Sequence, residues 1–578
     1  MSGDDDLRVR LGRVRDRGRA RRSKPFIAQA LAAAERAGGF KRRTAQVSRS
    51  TFGRGRSASC AAARRMTDRT RSVAVKARVV RHGRKRTPLR THLAYLRREG
   101  VTKDGAPGHM FDAEQDDADH RAFADRCDGD RHHFRFIVSP EDADQLADLK
   151  AFTRDLIDQA QRDLGTKLDW IGAEHWNTDN PHVHVIIRGV ADDGRDLVIS
   201  RDYISHGLRA RAADLATLEL GPRSDLDIRR RFNAEIEADR WTRLDRVLTA
   251  EAAQHDRIVD LRPESDQPSG ETRSALVGRM RKLERLGLAK ELGPARWYLS
   301  ERTAPILRAL GERDDIIKRI HKGLAEQRIE RSLSDYVLEE RDLTRPIVGR
   351  LVSRGLDDEL RETAYAVIDG VDGRTHHVRL PSLDATSDGA PGSIVELRRF
   401  KDAMGRERTA VAVRSDLPLG AQVEATGATW LDRQLVAREP ATLNSGGFGL
   451  EVQQAIKERA EHLIRENLAR REGQRLVFAR DLLDTLRRRE LDRAGAKLAA
   501  ESGLPYRPAA DGRGVSGVYR QRLDLASGRF AMIDDGLGFS LVPWTPSLER
   551  HLSREVLGLA RVGRIEWTFA RSRGLGIG

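Results

Sequence analysis

Residues 175–189, HWNTDNPHVHVIIRG, constrain the fold of this chain more than any other segment. His182 and His184 are two residues apart in an apolar run, and side chains two apart on a β-strand point to the same face. A third histidine, His175, ends the preceding strand-like run, and NTDNP between the two runs has the composition of a tight turn. The pattern predicts a hairpin that brings three imidazoles together on one face of a sheet.

Three imidazole nitrogens on one face can hold a divalent metal and leave positions open for a substrate. A metal there would polarise a phosphodiester or activate water. An isolated HxH is more often a structural or surface pair, and HxH also occurs in zinc enzymes and in histidine-triad nucleotide hydrolases. The triad pattern needs a further histidine where this chain has Ile186, and no His or Cys follows at metallohydrolase spacing. The sequence therefore predicts a three-histidine metal site of another kind.

Positive charge is concentrated at one end of the chain. The 578 residues carry a net charge of +17, but residues 1–100 alone contain 29 Lys and Arg against 7 Asp and Glu. A segment this basic is expected to bind a polyanion through its phosphate groups with steep salt dependence. A solubilising tail is the alternative, and the concentration of charge favours nucleic acid as the partner.

Composition excludes several classes of protein. Two cysteines, Cys60 and Cys127, are too few for a disulfide framework or a cysteine-rich zinc site. There is no apolar run of 18 residues and no apolar leader at the amino terminus, so we expect a cytoplasmic protein without membrane insertion. The phosphate-loop motif GxxxxGK followed by Ser or Thr is absent, so we expect no nucleoside triphosphate as a partner.

Strand and helix patterns predict an α+β protein. The strand-like runs VAVKARVV and HHFRFIVS, an amphipathic helix that ends at Gly165 and the histidine hairpin form the first folded domain. The run DLVIS is predicted to add a further strand to this domain. Ser139 and Pro140 are predicted to begin the helix that follows the second strand.

The composition changes along the chain and predicts five segments. They are a basic, largely disordered arm with a short helix near FIAQALAAAERAGG (1–72), an antiparallel sheet with helices (73–250), a helical region (251–345), a small β-rich domain (346–438) and an α+β carboxy-terminal region of mixed helices and strands (439–578). Within the third segment, residues 271–301 have the pattern of a winged helix-turn-helix, with an ordinary helical linker as the alternative. No internal repeat is expected.

A phosphodiester bound at a metal needs a nucleophile, and tyrosine is the candidate in this region. Tyr95 precedes the histidines in RTPLRTHLAYLRREG, on a predicted helix, and Tyr203 follows them. Arg90, Arg97 and Arg98 surround Tyr95, and their charges would hold DNA phosphates and favour the phenolate. A packed helical aromatic is the alternative for Tyr95, and the nearby metal site favours the catalytic role.

An early tyrosine followed by H-x6-H-x-H resembles the relaxases, the plasmid mobilisation nucleases of the HUH superfamily, and most closely the class of the T-DNA border endonuclease. The stretch DGRDLVISRDYISHGLRARAADLATLELGPRS resembles the same class. The carboxy-terminal half, with SGRFA and FSLVPW, resembles a domain of uncharacterised function that is appended to some relaxases. The resemblance implies an HUH relaxase-type antiparallel sheet with helices over residues 73–250.

The resemblance also implies an activity, namely site- and strand-specific nicking and religation of DNA at an origin of transfer. Tyr95 would attack the scissile phosphodiester and form a 5′-phosphotyrosine. His175, His182 and His184 would hold Mg²⁺ or Mn²⁺, which stabilises charge on the non-bridging oxygens.

Residues beside the histidines are candidates for supporting roles. Trp176 and Asn180 are predicted DNA contacts, with a turn or packing role as the alternative. Members of the family orient the first metal histidine with an acid, as outer hydrogen bonding of metal ligands requires. Asp130, Glu141 and Asp142 are the candidates for that acid.

The implied partners are single-stranded and duplex DNA, accessory proteins of the relaxosome and a type IV coupling protein. The implied location is the bacterial cytoplasm, with export of the protein together with DNA through a secretion channel. Two alternatives remain: a rolling-circle replication initiator that uses Tyr203, and a DNA-binding regulator of a mobile element with an inactive nuclease domain. Relaxases place the tyrosine before the histidines and initiators place it after them, so the position of Tyr95 favours the relaxase.

Overall fold

The computed structural model describes residues 54–55, 58, 69–82, 89–99, 101–176, 178, 180–263, 270–338, 346–358, 360–361, 363–402, 404–473, 475–509, 514–561 and 564–568. The helix predicted near FIAQALAAAERAGG and most of the basic arm lie outside these residues. The described residues form helices and several antiparallel sheets, which confirms the α+β prediction, and they divide into two compact units between Gly311 and Glu312. In these ranges, no helix is both long and apolar enough to cross a membrane.

The first unit contains a five-stranded antiparallel sheet with the strand order β1-β3-β5-β4-β2. Its strands are β1 (Val73–Arg81), β2 (Met110–Phe111), β3 (His132–Pro140), β4 (Trp170–His175) and β5 (His182–Arg188). The helices that cover it are α1 (Leu89–Glu99), α2 (His120–Arg126), α3 (Leu149–Leu164) and α4 (Leu208–Leu220).

Each face of this sheet has its own hydrophobic core. Successive side chains alternate between the faces, so Val183 and Val185 point to one side, where they pack with α3 and α4. Ile171, Ala173 and Ile186 point to the other side, where they pack with α1 and α2. Burial on both faces explains the continuous apolar run at residues 185–187 of β5.

Two local predictions for this domain are wrong. Ser139 and Pro140 end β3, where Pro140 pairs with Val73 at the end of the ladder, and the helix begins later, with Asp148 as its N-cap. Strand pairing outweighs local capping preference here because the end of a strand tolerates a missing N–H group. DLVIS forms isolated bridges rather than a strand. The predicted end of α3 at Gly165 is confirmed, and this glycine has a left-handed φ of 63°.

The rest of the first unit is mainly helical and shares one core around the buried Trp297. It comprises α5 (Asp225–Glu237), α6 (Arg243–Gln254), α7 (Glu271–Arg285), the start of α8 (Thr303–Glu326) and the strands β6 (Ile258–Asp260), β7 (Ala289–Gly293) and β8 (Arg296–Leu299), in the order β6-β8-β7. Residues 271–301 contain the predicted hairpin but one helix, α7, where the helix-turn-helix pattern predicts two close helices, because the chain turns at Gly287 directly into β7. Their use as a DNA-reading winged helix-turn-helix stays a prediction.

The second unit has two large sheets, joined by helices and a two-stranded hairpin. The first sheet contains β9 (Tyr336–Val337), β10 (Ile347–Asp358), β11 (Thr363–Gly370), β12 (Thr375–Leu380), β13 (Ile394–Lys401) and β14 (Glu407–Ser415), in the order β14-β13-β10-β11-β12-β9. The linking elements are α9 (Leu419–Val423), α10 (Trp430–Val436), α11 (Gly447–Arg465), β15 (Ala469–Glu472), β16 (Arg475–Phe478) and α12 (Leu482–Ser502). The second sheet contains β17 (Gly514–Leu525), β18 (Gly528–Asp534), β19 (Phe539–Pro543), β20 (Glu555–Arg561) and β21 (Arg564–Thr568), in the order β19-β18-β17-β20-β21.

Candidate metal centre

The pairing of β4 with β5 brings three histidines together. His175 lies directly opposite His182 in the ladder, and His184 lies opposite Ala173. Residues directly opposite in an antiparallel pair share a face, so all three imidazoles project to the same side. Each is at most 7% exposed, and the ring centroids lie 4.6 to 5.4 Å apart. The predicted hairpin therefore forms and produces a compact, buried histidine cluster.

The geometry of this cluster fits a divalent metal. One nitrogen from each of the three histidines lies within 4.8 Å of the other two, and the Nε2 atoms of His182 and His184 are 3.2 Å apart. Metal–nitrogen bonds of about 2.1 Å at tetrahedral or octahedral angles place two ligand nitrogens about 3.0–3.4 Å apart. The buried triad can therefore bind a metal with little rearrangement.

A backbone carbonyl orients one of the ligands. The Nδ1–H group of His182 donates to the carbonyl oxygen of Asn180 over 2.9 Å, which fixes the tautomer and directs Nε2 toward the other two rings. The acids expected in this role are instead held by arginines: Asp130 by Arg188, Glu141 by Arg223 and Asp142 by Arg71. The turn that precedes β5 thus supplies an orienting group for the second histidine, His182, whereas the expected acid concerned the first, His175.

Tyr95 lies on the same side of the sheet as the histidines. It is half-buried on α1 and packs against the core that contains Ile171, Ala173 and Ile186. These three residues alternate with the residues of the opposite core and so share their face with the histidine triad. The structure therefore brings the predicted nucleophile and the predicted metal ligands to one face.

The segment after α1 is attached to the strand that carries His175. Val101 forms a bridge with His175, its amide donates to the Glu174 carbonyl over 3.2 Å, and its carbonyl accepts from the Trp176 amide over 3.1 Å. These backbone bonds fix the carboxy-terminal end of α1 beside the histidine cluster. Tyr95 lies about one turn before the end of this helix at Glu99, and Val101 follows two residues later.

Tyr203 belongs to the opposite core. It is 2% exposed and packs among the residues that face α3 and α4. Its hydroxyl donates to Asp163 over 3.0 Å, and Arg211 holds the same carboxylate over 2.8 Å. Burial and the neighbouring Asp163 raise the pKa of the Tyr203 phenol well above its usual value. The structure separates Tyr203 from the histidines by the thickness of the sheet.

The predicted arginine contacts around Tyr95 differ from one another. Arg90 is exposed and forms ion pairs with Asp125 and Asp128 on or just after α2. Arg97 is exposed near the end of α1. Arg98 lies on the same helix, and its side chain is outside the described structure.

The predicted contacts in the hairpin also have defined environments. The indole of Trp176 donates to Glu174 over 3.3 Å, and the ammonium group of Lys103 lies 5.2 Å from its ring centroid. Asn180 is exposed, and its backbone carbonyl is already used by His182. Lys103 was missed in the sequence because its proximity to Trp176 depends on the bridge that Val101 makes with β4.

A buried polar cluster on β3 was also missed. His133 and Arg135 point to the histidine face, since they alternate with Phe134 and Phe136 of the opposite core. The Nε–H of Arg135 donates to His133 over 2.9 Å, and His82 lies 2.6 Å from the other ring nitrogen of His133. Burial, with the charge of Arg135, lowers the pKa of His133 to about 2. The sequence signal that could have revealed this cluster is the alternation of polar His133 and Arg135 with Phe134 and Phe136 in the run HHFRFIVS.

Comparison with known families gives a match to residues after the histidine domain. A family model described as a protein of unknown function (DUF3363) matches residues 276–408 and 398–576, which together are more than half of the chain. The chain belongs to the DUF3363 family. The DUF3363 match includes β7, β8 and both sheets of the second unit, and it does not include the histidine cluster. No curated protein and no solved structure matches the chain significantly.

Proposed function

We propose that this protein is a DNA relaxase that nicks and religates one strand at an origin of transfer. The observation that carries the proposal is the placement of Tyr95 and the buried histidine triad on one face of one sheet. A nucleophile beside a metal-binding cluster suits transesterification of a phosphodiester. The basic segment at the amino-terminal end carries positive charges that suit binding to the phosphate groups of the same DNA substrate.

The reaction follows from the groups on this face. Tyr95 loses its phenolic proton and its oxygen attacks phosphorus, so the bond from phosphorus to the 3′ oxygen breaks and that oxygen leaves as a hydroxyl. The product is a 5′-phosphotyrosine, whose reversal by a 3′-hydroxyl religates the strand without a nucleoside triphosphate. His175, His182 and His184 hold the Mg²⁺ or Mn²⁺ ion, which when bound stabilises negative charge on the non-bridging oxygens.

Aromatic and basic groups near the cluster suit a single strand. The Trp176 ring offers a surface on which a base can stack, and Lys103 and Arg97 offer charges for adjacent phosphates. Relaxosome accessory proteins and a type IV coupling protein are the partners proposed for this function, in a bacterial cytoplasm and with export alongside DNA. Duplex DNA at the origin is the second proposed substrate form.

A replication initiator that uses Tyr203 is a weaker proposal. The Tyr203 hydroxyl is buried against Asp163 in the opposite core, and its raised pKa opposes formation of a phenolate. A regulator with an inactive nuclease domain is also weaker, because the three ligand nitrogens are grouped as a metal requires. Both alternatives predict outcomes that differ from those of the relaxase.

A nicking assay tests the proposal. The full chain is incubated with Mn²⁺ and labelled single-stranded oligonucleotides that tile the DNA flanking its gene, and covalent adducts are separated by denaturing gel. We expect one oligonucleotide to yield an adduct with the unmodified protein and with Tyr203→Phe, and none with Tyr95→Phe. An adduct that survives Tyr95→Phe and disappears in Tyr203→Phe would establish the initiator instead. No adduct from the unmodified protein across the tiled region would favour the regulator.

A further inference from the structure

Two buried arginines make matching ion pairs at two places along the chain. Arg279 on α7 and Arg459 on α11 are both fully buried. Each guanidinium forms a two-pronged ion pair with a buried aspartate, Asp245 at 2.7 and 2.9 Å and Asp432 at 2.8 and 2.8 Å. Both aspartates occupy the third position of a helix and complete a capping box with the N-cap threonine.

The same arginines also bind three backbone carbonyls in the same pattern. In both places the carbonyls precede the N-cap threonine by six, four and two residues. They belong to Ile236, Ala238 and Arg240 before Thr242, at 2.9, 2.6 and 3.0 Å, and to Val423, Ala425 and Gly427 before Thr429, at 3.1, 2.6 and 3.0 Å. All five donor contacts of one arginine thus have a counterpart, in partner type and spacing, at the other.

The helices that carry these arginines end in the same way. α7 is followed by Gly287 at a φ of 72°, and α11 is followed by Asn467 at a φ of 58°. The next amide then donates back to the helix in both cases, from Leu288 to Leu283 over 2.8 Å and from Leu468 to Leu463 over 2.9 Å. A two-stranded hairpin follows each turn, β7–β8 or β15–β16, and a long helix follows each hairpin, α8 or α12.

The sheets that come after these long helices have matching topology. The order β14-β13-β10-β11-β12 corresponds strand for strand to β21-β20-β17-β18-β19. A short 3-10 turn joins β12 to β13 at Leu383–Thr386, and another joins β19 to β20 at Pro546–His551. The bulge between Leu351 and Ser353 of β10 corresponds to the bulge between Tyr519 and Gln521 of β17.

Two glycines show the correspondence at single residues. Gly349 pairs with Val395, and a Cβ atom on it would lie 2.3 Å from the carbonyl oxygen of Asp369. Gly517 pairs with Val556, and a Cβ atom on it would lie 2.3 Å from the carbonyl oxygen of Asp534. The close approach of the two strands thus requires glycine at the same point of both sheets.

We infer that residues 236–415 and 423–568 are two copies of one module, and that both copies bind duplex DNA through the hairpin that follows the arginine-bearing helix. This inference replaces the expectation of no internal repeat. The separation of equivalent residues falls from 187 at Thr242 and Thr429 to 165 at Asp369 and Asp534, so no constant period is visible in the sequence. The two copies also differ at their edges, since β6 and β9 belong to the first alone among the described strands.

Basic side chains occupy three equivalent positions on the two hairpin surfaces. One lies at the end of the helix, one on the first strand and one on the second: Arg285, Lys290 and Arg296 in the first copy, and Arg465, Arg470 and Arg475 in the second. All are exposed or half-exposed. Their ion pairs, such as Arg285 with Glu237 and Arg470 with Glu472, are solvent-exposed and weak, so phosphate groups can replace the acids.

The shape of this surface favours duplex DNA as the ligand. A helix end beside a two-stranded hairpin fits the major groove of B-form DNA, which is about 12 Å wide, whereas the major groove of duplex RNA is too narrow. Arginine and lysine at the rim bind phosphates without regard to sequence. Two such surfaces on one chain raise the affinity through effective concentration. This inference does not depend on the proposed nicking.

The test compares three charge-neutralised variants of the full chain in a Tyr95→Phe background. The first copy carries R285Q, K290Q and R296Q, the second carries R465Q, R470Q and R475Q, and the control carries R398Q, R399Q and R408Q, which are exposed on β13 and β14. Binding of a labelled DNA duplex of arbitrary sequence is measured over a range of salt concentrations. Each hairpin variant is expected to bind at least about tenfold more weakly, with a salt slope lower by about 2–3.

The outcomes separate the inference from its alternatives. The control variant is expected to keep its affinity within about threefold, and the combined six-residue variant to bind more weakly than either hairpin variant. Unchanged duplex binding in either hairpin variant overturns the inference, as does an equal loss in the control. Equal or tighter binding of the matching RNA duplex overturns the assignment to DNA. Adduct formation on single-stranded DNA, measured with Tyr95 restored, is expected to persist in both hairpin variants.

Discussion

Tyr95 and Tyr203 lie against opposite faces of one five-stranded sheet. Tyr95 packs against the core that contains Ile171 and Ile186, on the face that also presents the three histidines, whereas Tyr203 belongs to the opposite core, with α3 and α4. The sheet therefore decides which tyrosine has access to the candidate metal centre. Tyr203 is the nearer of the two to the histidines in the sequence, yet it is the distant Tyr95 that shares their face, because the helical segments that carry the tyrosines pack on opposite sides of the sheet.

The two tyrosines should respond differently to substitution by phenylalanine. Tyr203→Phe removes one hydrogen bond to Asp163, which keeps its ion pair with Arg211, so we expect a loss of about 1 kcal/mol in the free energy of unfolding. Tyr95→Phe should abolish the covalent adduct and change stability little. Denaturant unfolding and the adduct assay measure the two effects, and equal behaviour of the two variants in both measurements would contradict the assignment.

Removal of a histidine ligand should weaken metal binding. His182→Ala and His184→Ala are each expected to lower the affinity for Mn²⁺ by at least about 100-fold, since a buried site with two remaining nitrogens holds a cation poorly. Isothermal titration calorimetry on the full chain provides the measurement. His255→Ala is the matched control, because this histidine is exposed at the end of α6, outside the sheet that carries the cluster. Mn²⁺ binding that His182→Ala leaves intact would exclude the proposed site.

The buried His133 should make the domain sensitive to acid. Its folded pKa of about 2 lies below the usual value of 6.5, because burial and Arg135 oppose the charged form. The unfolded chain then binds the extra proton first, so stability is fully present above pH 6.5 and falls as the pH decreases, by roughly 1.4 kcal/mol per unit. Unfolding measured between pH 7 and pH 5 should show this slope, and His133→Gln should flatten it. An identical slope in the variant would assign the acid sensitivity elsewhere.

The two buried arginines should contribute similarly to their modules. Arg279→Met and Arg459→Met each leave a buried aspartate without its counter-charge, and the expected loss is about 3–5 kcal/mol in the free energy of unfolding. Adding Asp245→Asn to the first variant and Asp432→Asn to the second should recover part of each loss. Differential scanning calorimetry measures the unfolding of each variant. A large loss from one arginine and none from the other would be evidence against equivalent modules.

Glycine is required where the paired strands approach closely. Gly517→Ala places a Cβ atom against the Asp534 carbonyl at a φ of 150°, so we expect a loss of about 1–3 kcal/mol. Gly514→Ala on the same strand is the control, because nothing lies within 4 Å of the added carbon. The stability of the two variants is compared by thermal unfolding. Gly349→Ala should behave like Gly517→Ala, and a neutral effect at both would show that the strands can separate without cost.

Local patterns in the sequence predicted local structure well. The histidine hairpin follows from alternation and turn composition, and the end of α3 follows from Gly165. The predicted helix start at Ser139 failed because pairing of β3 with β1 extended the strand through Pro140. Capping preference is worth about 1 kcal/mol, and strand pairing in a buried sheet outweighs it.

The sequence by itself determined that His182 and His184 share a face, because side chains two apart on one strand point the same way whatever the rest of the chain does. Tertiary structure decided the rest. It placed Tyr95 over that face and Tyr203 under it, set the register that puts His175 opposite His182, and matched Arg279 with Arg459. These relationships depend on contacts between residues far apart in the chain, and such contacts leave no period in the sequence.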